Sequence, residues 1–389
     1  MTQPSPYVLE TVSALIGFRT TFEDSTKPLM DYVSGRLNSI ARLALLPDPT
    51  GRKANLFATI GPDVSGGVVL SGHCDVVPAP ASDPWTSPPF EAKVSNGKLF
   101  GRGASDMKGF VGTAVALAPA LAAMPLKRPV HLAISYDEEV GCVGVRDVLD
   151  FLKRTCIRCS ACIVGEPTLM APVIGHKGKT SWVCDVSGKA EHSSRAPYAV
   201  NAVELAARMI AAIADLGEAR AKTGPFDPLQ DPPHSTFSVG PVAGGRQLNV
   251  VPDQCRFEFE MRHLPDDPPA DAFAVLEARA RALEIFARRK SPEAAIRLTE
   301  TNSYPGFSIK PDAPIVRLAE NLSGLAQCGR VGFGTEAGVF EQAGIPTVVC
   351  GPGSLAQAHI VNEFIELAQL GQCERFILGL GHALCETAP

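Results

Sequence analysis

Gly67-Val68-Val69-Leu70-Ser71-Gly72-His73-Cys74-Asp75-Val76-Val77-Pro78 begins as a short apolar run and ends in polar chemistry. Such a run, bounded by glycine, reads as a buried strand over residues 67–71, and the extended chain beyond it puts His73 and Asp75 on one side. The pattern recurs in both directions. Upstream, apolar periodicity predicts helices near 7–18 and 28–43 and a strand over 54–60. Downstream follow a buried helix over 107–123, a strand over 130–136, a helix over 144–153 and a strand over 160–164. This alternation is an α/β pattern.

From about residue 175 the order changes to strand 180–186, helix 199–216, strands 235–241 and 253–262, helix 269–289 and strand 294–301. That β-α-β-β-α-β order is the signature of a ferredoxin-like, α+β unit inserted into the first domain. The α/β pattern then resumes with a helix near 314–325, a strand at 346–350 and a final helix from about 363. The expected organisation is one domain in two parts, 1–175 and 304–389, interrupted by an insertion over 176–303. Within the insertion, residues 223–233 are rich in Pro and Asp and read as a surface loop.

Composition narrows the classes of function. The 389 residues carry 36 basic and 41 acidic side chains, a net charge of −5, which gives no electrostatic reason to expect nucleic acid. The longest apolar stretch, 110–124, contains Pro119 and falls short of the roughly 20 residues a bilayer span needs, so no membrane partner is expected. The start Met1-Thr2-Gln3-Pro4-Ser5-Pro6 lacks the features of a secretory signal, and the reading is cytoplasmic. Eleven cysteines cannot all pair within one chain, so reduced thiols are expected. Cys156, Cys159 and Cys162 have C-x2-C-x2-C spacing but only three local ligands, and structural thiols are the simpler reading.

Ligands of open α/β sheets bind outside the carboxyl ends of strands, and here those ends are acidic and histidine-rich. After His73 and Asp75 comes Gly101-Arg102-Gly103-Ala104-Ser105-Asp106-Met107-Lys108-Gly109, with a carboxylate between a glycine-rich turn and a helix. Taken alone, Asp106 reads equally well as a helix cap. Asp137-Glu138-Glu139 follows the next strand, and such crowding is costly at a half-buried strand end unless a cation or proton offsets it. Gly165-Glu166-Pro167 ends another strand, and Cys350-Gly351-Pro352-Gly353-Ser354 precedes His359. Two histidines and several carboxylates suit a pair of divalent, zinc-like ions sharing a bridging carboxylate.

This ordered set, His73-Cys74-Asp75, Gly103 to Gly109, Asp137-Glu138-Glu139, Gly165-Glu166-Pro167 and His359, resembles the dinuclear zinc aminoacylase, carboxypeptidase and desuccinylase family over nearly the whole chain. Gly334-Thr335-Glu336-Ala337 and the segment from Cys350 to His359 most resemble the branch that deacetylates N-acetyl-L-ornithine. The resemblance implies an α/β, zinc-exopeptidase-like catalytic domain with a mixed sheet flanked by helices, and two divalent metals, zinc or cobalt. By it Asp106 bridges the metals, His73 and Glu166 complete one site, and Glu139 and His359 complete the other. Glu138 is then the general base and Asp75 orients His73, and the Asp106–Met107 peptide is cis.

The same resemblance makes the insertion both dimer interface and lid of a homodimer. His192, in Glu191-His192-Ser193-Ser194, then reaches across to stabilise the oxyanion in the partner subunit. Arg262 becomes the clamp for a substrate α-carboxylate, a task suited to a planar bidentate donor. Asn249, Gly353 and Ser354 are further substrate-binding candidates, and Glu336 is placed to meet the ornithine ammonium. The implied reaction is hydrolysis of an N-acyl amino acid. Another deacylase, a desuccinylase or a dipeptidase of the family is the alternative, with a noncatalytic metal- or amino-acid-binding protein as the alternative of another class.

Overall fold

The computed structural model describes residues 3–386, which divide into two compact units. The first contains the residues up to Gly175, Ser308–Gly329 and those from Thr335 onward; the second contains His176–Phe307 and Arg330–Gly334.

The first unit is built on a six-stranded sheet. Its strands β1 (Arg42–Pro47), β2 (Ala54–Ile60), β3 (Gly67–His73), β4 (Val130–Ser135) and β5 (Cys159–Pro167) lie in the order β1-β2-β4-β3-β5, with Thr347–Gly351 at the far edge. β3 runs parallel to both β4 and β5, and Thr347–Gly351 runs parallel to β5, whereas β1 and β2 pair antiparallel. Every residue of β2, β3 and β4 is buried, as expected of strands covered on both faces. Helices α1 (Pro6–Ile16), α2 (Lys27–Leu37) and α3 (Lys108–Ala123) join them in one core, in which Val12, Leu15, Leu70, Phe110, Val111 and Leu132 are buried, and α4 (Val145–Thr155) connects β4 to β5. The Ser5 hydroxyl caps α1 by accepting from the Val8 N–H, and Pro6 occupies its first turn, where a missing N–H costs nothing.

Two local expectations are corrected. Residues 28–43 read as one helix, but α2 stops at Leu37 and Arg42–Pro47 forms β1. The run Leu43-Ala44-Leu45-Leu46 fits either period, and antiparallel pairing with β2 decides it. The final helix begins at Leu367 rather than 363, because Phe364–Glu366 pairs antiparallel with Lys98–Phe100 of a small hairpin.

In the second unit, β6 (Gly178–Ser187), α5 (Ala202–Thr223), β7 (Thr236–Gly244), β8 (Gln254–His263), α6 (Pro269–Arg288) and β9 (Ala295–Tyr304) follow one another. The sheet order β7-β8-β6-β9, antiparallel throughout, is that of a split β-α-β unit. Burial along β8 alternates strictly over its first six residues, and Trp182, Phe257, Phe259, Met209 and Leu276 form a core with the two helices. α5 runs past residue 216 to Thr223, helped by the Glu218–Lys222 pair one turn apart. No helix among the described residues is long and apolar enough to cross a membrane.

Candidate metal centre

Because β3, β4, β5 and Thr347–Gly351 are mutually parallel, their carboxyl ends fall at one edge of the sheet. His73 is the last residue of β3, Glu138 and Glu139 follow β4, Glu166 lies near the end of β5, and Asp106 stands just before α3. His359 comes from the loop after Thr347–Gly351. The chain thus delivers residues far apart in sequence to one place.

Their side chains form two groups whose donor atoms lie within 4.8 Å of one another: His73, Asp106 and Glu166, and Asp106, Glu139 and His359. Asp106 belongs to both. Its Oδ1 is 3.0 Å from His73 Nε2 and its Oδ2 is 3.2 Å from His359 Nε2, so each oxygen serves one group. Glu166 Oε1 stands 3.6 Å from His73 Nε2, and Glu139 Oε1 3.0 Å from His359 Nε2. The Asp106–Met107 peptide is cis. Glu138 belongs to neither group; its Oε2 is 4.0 Å from His73 Nε2.

Without metal this is an overcharged site. Burial would favour a neutral imidazole at His73, but the hydrogen bond to Asp106 and the charges of Glu166, Asp75 and Asp106 outweigh it and hold the residue well above the ordinary histidine range. Hydrogen bonds to Asp106 and Glu139 raise His359 to about 10. Burial works against ionisation of Asp106, yet its bonds from His359 and His73 hold its carboxyl below the usual range. Burial pushes Glu166 and Glu138 well up and Glu139 up, with Asp106 adding to the shift at Glu166 and Glu139, and Glu139 and Glu336 adding to it at Glu138. Carboxylates that burial and mutual repulsion disfavour as anions, set among imidazole nitrogens, are the donor set that divalent cations satisfy. The residues therefore fit a pair of such ions.

Asp75 lies beside His73 and serves the acidic loop as well. The His73 Nδ1 partner is the Asp75 carbonyl at 3.0 Å, while the Asp75 carboxylate accepts the N–H groups of Glu138 and Glu139, both at 3.1 Å. Its carboxylate is 3.6 Å from Nδ1 and mainly fixes the acidic loop. Glu336 is placed differently from the reading that set it facing a substrate ammonium. It is 1% exposed, and its oxygens accept the hydroxyls of Ser71 and Ser135 behind His73 and Glu138.

Gly353 has φ +85°, and a Cβ there would stand 2.3 Å from Ser105 Oγ, so only glycine fits beside the Asp106 loop. The Ser354 carbonyl accepts the Ser105 hydroxyl at 3.2 Å. In the second unit His192 is exposed, with Nδ1 2.8 Å from Ser194 Oγ, and the Ser193 N–H donates to the Asn249 carbonyl, so the His192 and Asn249 loops are joined. Arg262 donates to Glu260 and to the Tyr304 hydroxyl, both at 2.9 Å.

Sequence reasoning missed Glu363. This buried carboxylate accepts from Arg102 Nη1 and from the N–H groups of Gly103, Ser105 and Asp106. Its only signal was an acid opening what read as an apolar helix. The cysteines at 156, 159 and 162 belong to neither metal-capable group found among the described residues, and all eleven thiols are free.

These strand ends and their shared carboxylate make a two-metal site, and the chain belongs to peptidase family M20/M25/M40, whose model matches residues 69–381; with its relatives this makes it a hydrolase acting on an amide bond. Among its relatives, an acetylornithine deacetylase of Myxococcus xanthus is 34% identical over 96% of each chain. One from Pasteurella multocida is 32% identical over 92% of this chain and 93% of the relative. An M20 metallo-carboxypeptidase from Sulfolobus solfataricus has a similar fold, with TM-score 0.76, 17% identity and coverage of 97% and 99%. So has a dinuclear metal-binding peptidase of this family from Bacillus subtilis, with TM-score 0.67, 16% identity and 98% of each chain covered.

Proposed function

We propose that the protein hydrolyses N-acetyl-L-ornithine to L-ornithine and acetate, a step of arginine biosynthesis, as a cytoplasmic homodimer holding two zinc or cobalt ions. The observation that carries the chemistry is Asp106, with one oxygen toward each histidine and Glu138 left outside both groups. The substrate rests on the names of the relatives that match nearly the whole chain.

His73, Asp106 and Glu166 would hold one ion, and Asp106, Glu139 and His359 the other. Bound there, the ions supply Lewis acidity, which acidifies water and polarises a carbonyl. Glu138 Oε2 takes the proton of the attacking water and afterwards returns it to the amine nitrogen as the C–N bond breaks. Burial among other carboxylates raises the proton affinity of Glu138, which suits a group that must accept a proton and give it back. The Asp75 carboxylate holds the backbone of Glu138 and Glu139, and Glu336 braces the two strand ends behind them.

His192 of the second unit would donate to the developing oxyanion of the partner subunit, and Arg262 would bind the substrate α-carboxylate; Asn249, Gly353 and Ser354 are further candidates for holding the substrate. The second unit would thereby act as dimer interface and lid.

The test is release of free amine from N-acetyl-L-ornithine, N-acetylmethionine and N-succinyl-diaminopimelate, each with added zinc or cobalt and with chelator. Fast, chelator-sensitive turnover of the ornithine substrate alone is expected. Turnover of another substrate only would discard the ornithine assignment and keep the amide hydrolysis. No turnover with two metals bound would move the reading toward an untried acyl substrate or a binding protein.

A further inference from the structure

The loop after β4 folds back on Glu138 through a residue that its backbone does not require. Gly141 and Cys142 both donate their N–H groups to the Glu138 carbonyl, at 2.7 and 2.9 Å. Cys142 also directs its thiol at the same residue, with Sγ 3.3 Å from Glu138 Oε1. The other carboxylate oxygen, Oε2, is the one that stands 4.0 Å from His73 Nε2.

Cys142 has φ +52°, in the left-handed region that glycine enters freely and a residue with a Cβ enters at a cost. Turn chemistry would select glycine or asparagine there. A cysteine held in that conformation needs a side-chain reason, and among the described residues its thiol bonds to Glu138. The sulfur is fully buried and free, a poor candidate for redox or nucleophilic work, which needs access and a lowered thiol pKa. Burial and the neighbouring Glu138 and Glu336 carboxylates push the thiol well above the ordinary cysteine range, so it remains a donor.

We propose that Cys142 is a positioning residue for Glu138: its S–H holds Oε1 and so commits Oε2 to the side of the carboxylate that faces the ligand groups. The inference rests on the reading of Glu138 as the base and deepens it. A glutamate has a soft terminal torsion, and without a partner at one oxygen the carboxylate swings. Proton transfer falls off steeply with misplacement of the accepting group.

The test compares metal-replete Cys142→Ala, Cys142→Gly and Cys142→Ser with wild type. Cys142→Ala is expected to lower kcat by about 10- to 100-fold with KM and metal content unchanged. Cys142→Ser, which keeps a donor, should restore kcat toward wild type. Cys142→Gly relieves the left-handed backbone, so it should melt no lower than the alanine variant while losing as much kcat; a merely structural cysteine would not separate the two. In the metal-free protein, the infrared S–H band removed by Cys142→Ala should lie at a hydrogen-bonded frequency and shift in Glu138→Ala.

Wild-type kcat in Cys142→Ala, an equal fall in Cys142→Ser, a loss expressed in KM or metal content, or a free-thiol frequency for the band would each overturn the proposal. Glu138→Gln keeps the two failures apart. If that variant is inactive while Cys142→Ala is fully active, only the positioning role falls; if it is active, the reading of Glu138 as base falls with it.

Discussion

Replacing Glu363 with alanine should damage both the fold and the metal centre, by an amount the structure lets one work out. Glu363 Oε2 accepts from Arg102 Nη1 and the Gly103 N–H, both at 2.9 Å; Oε1 accepts from the N–H groups of Ser105 at 2.9 Å and Asp106 at 3.1 Å. Both side chains of the ion pair are buried, 3% and 1% exposed. Burial, assisted by Asp106, keeps the Glu363 carboxyl somewhat above its ordinary value even so. The pair's net worth is therefore modest, and the cost of deletion comes from what is left behind. Removing one partner of a buried pair typically costs about 3–5 kcal/mol, because an unpaired charge stays inside. That is a large share of the roughly 5–15 kcal/mol that holds a protein folded. Three N–H groups, one of them on Asp106, also lose their acceptor, and groups that orient metal ligands are worth about 10- to 100-fold in affinity. Urea unfolding of the metal-free proteins reads the first effect and competition with a chelator reads the second. In the double variant Glu363→Ala/Arg102→Met the stranded charge is gone, so its loss should be clearly smaller than the sum of the two single-variant losses. Stability within about 1 kcal/mol of wild type, additive losses, or unchanged metal affinity would refute the reasoning.

Glu138→Gln should retain both metals by elemental analysis and lose about 10²- to 10⁴-fold in turnover, the usual contribution of a general base; near-normal turnover would remove Glu138 from the chemistry. His192→Ala should likewise keep both metals while kcat falls by about 10²- to 10³-fold, as for loss of an oxyanion donor, and simultaneous metal loss would show that the residue is misplaced. His131 gives a pH effect far from the metal groups. Burial, helped by Arg42, pushes it down to about 4. The unfolded chain takes up this proton below about pH 6.5 and the folded chain only near 4, so the stabilisation present above 6.5 is lost as pH falls, by about 2 kcal/mol at pH 5. Urea unfolding in chelator at pH 8 and pH 5 should show that extra loss in wild type and not in His131→Gln, and equal losses would count against it.

What was legible in the sequence was what local pattern decides. The apolar runs of β2 and β3 could be little else than buried strands, and a histidine or acid at each strand end is visible one residue at a time. β1 was missed because Leu43-Ala44-Leu45-Leu46 satisfies both helical and strand periods until β2 is beside it. Glu363 was missed because three of its four donors are backbone N–H groups about 260 residues earlier, which no side-chain pattern announces. Glu336 was seen but misplaced for the same reason, since its partners are two serine hydroxyls distant in sequence, and the second task of Asp75, holding two N–H groups of the acidic loop, was hidden likewise.

The acids of this edge thus fall into two kinds that a sequence writes with the same letters. Asp75, Glu336 and Glu363 have both oxygens satisfied by protein donors, and they act as scaffold. Glu166 has His73 Nε2 at 3.6 Å as its facing cation and Asp106 as a facing anion, and burial with that repulsion pushes its carboxyl well up. An anion in that position burdens the empty protein and is useful only to a cation. Glu166→Gln should therefore raise the urea midpoint of the metal-free protein at pH 8 while weakening metal binding. The sign fixes the pH course. The unfolded chain ionises this group above about pH 4.3, and the folded chain resists doing so, so the penalty relieved by glutamine grows with pH from there and fades as pH falls back toward that value. Unfolding curves in chelator at pH 8 and pH 5 decide it: a glutamine variant less stable than wild type at pH 8 would mean that Glu166, too, is scaffold, held by donors rather than waiting for a metal.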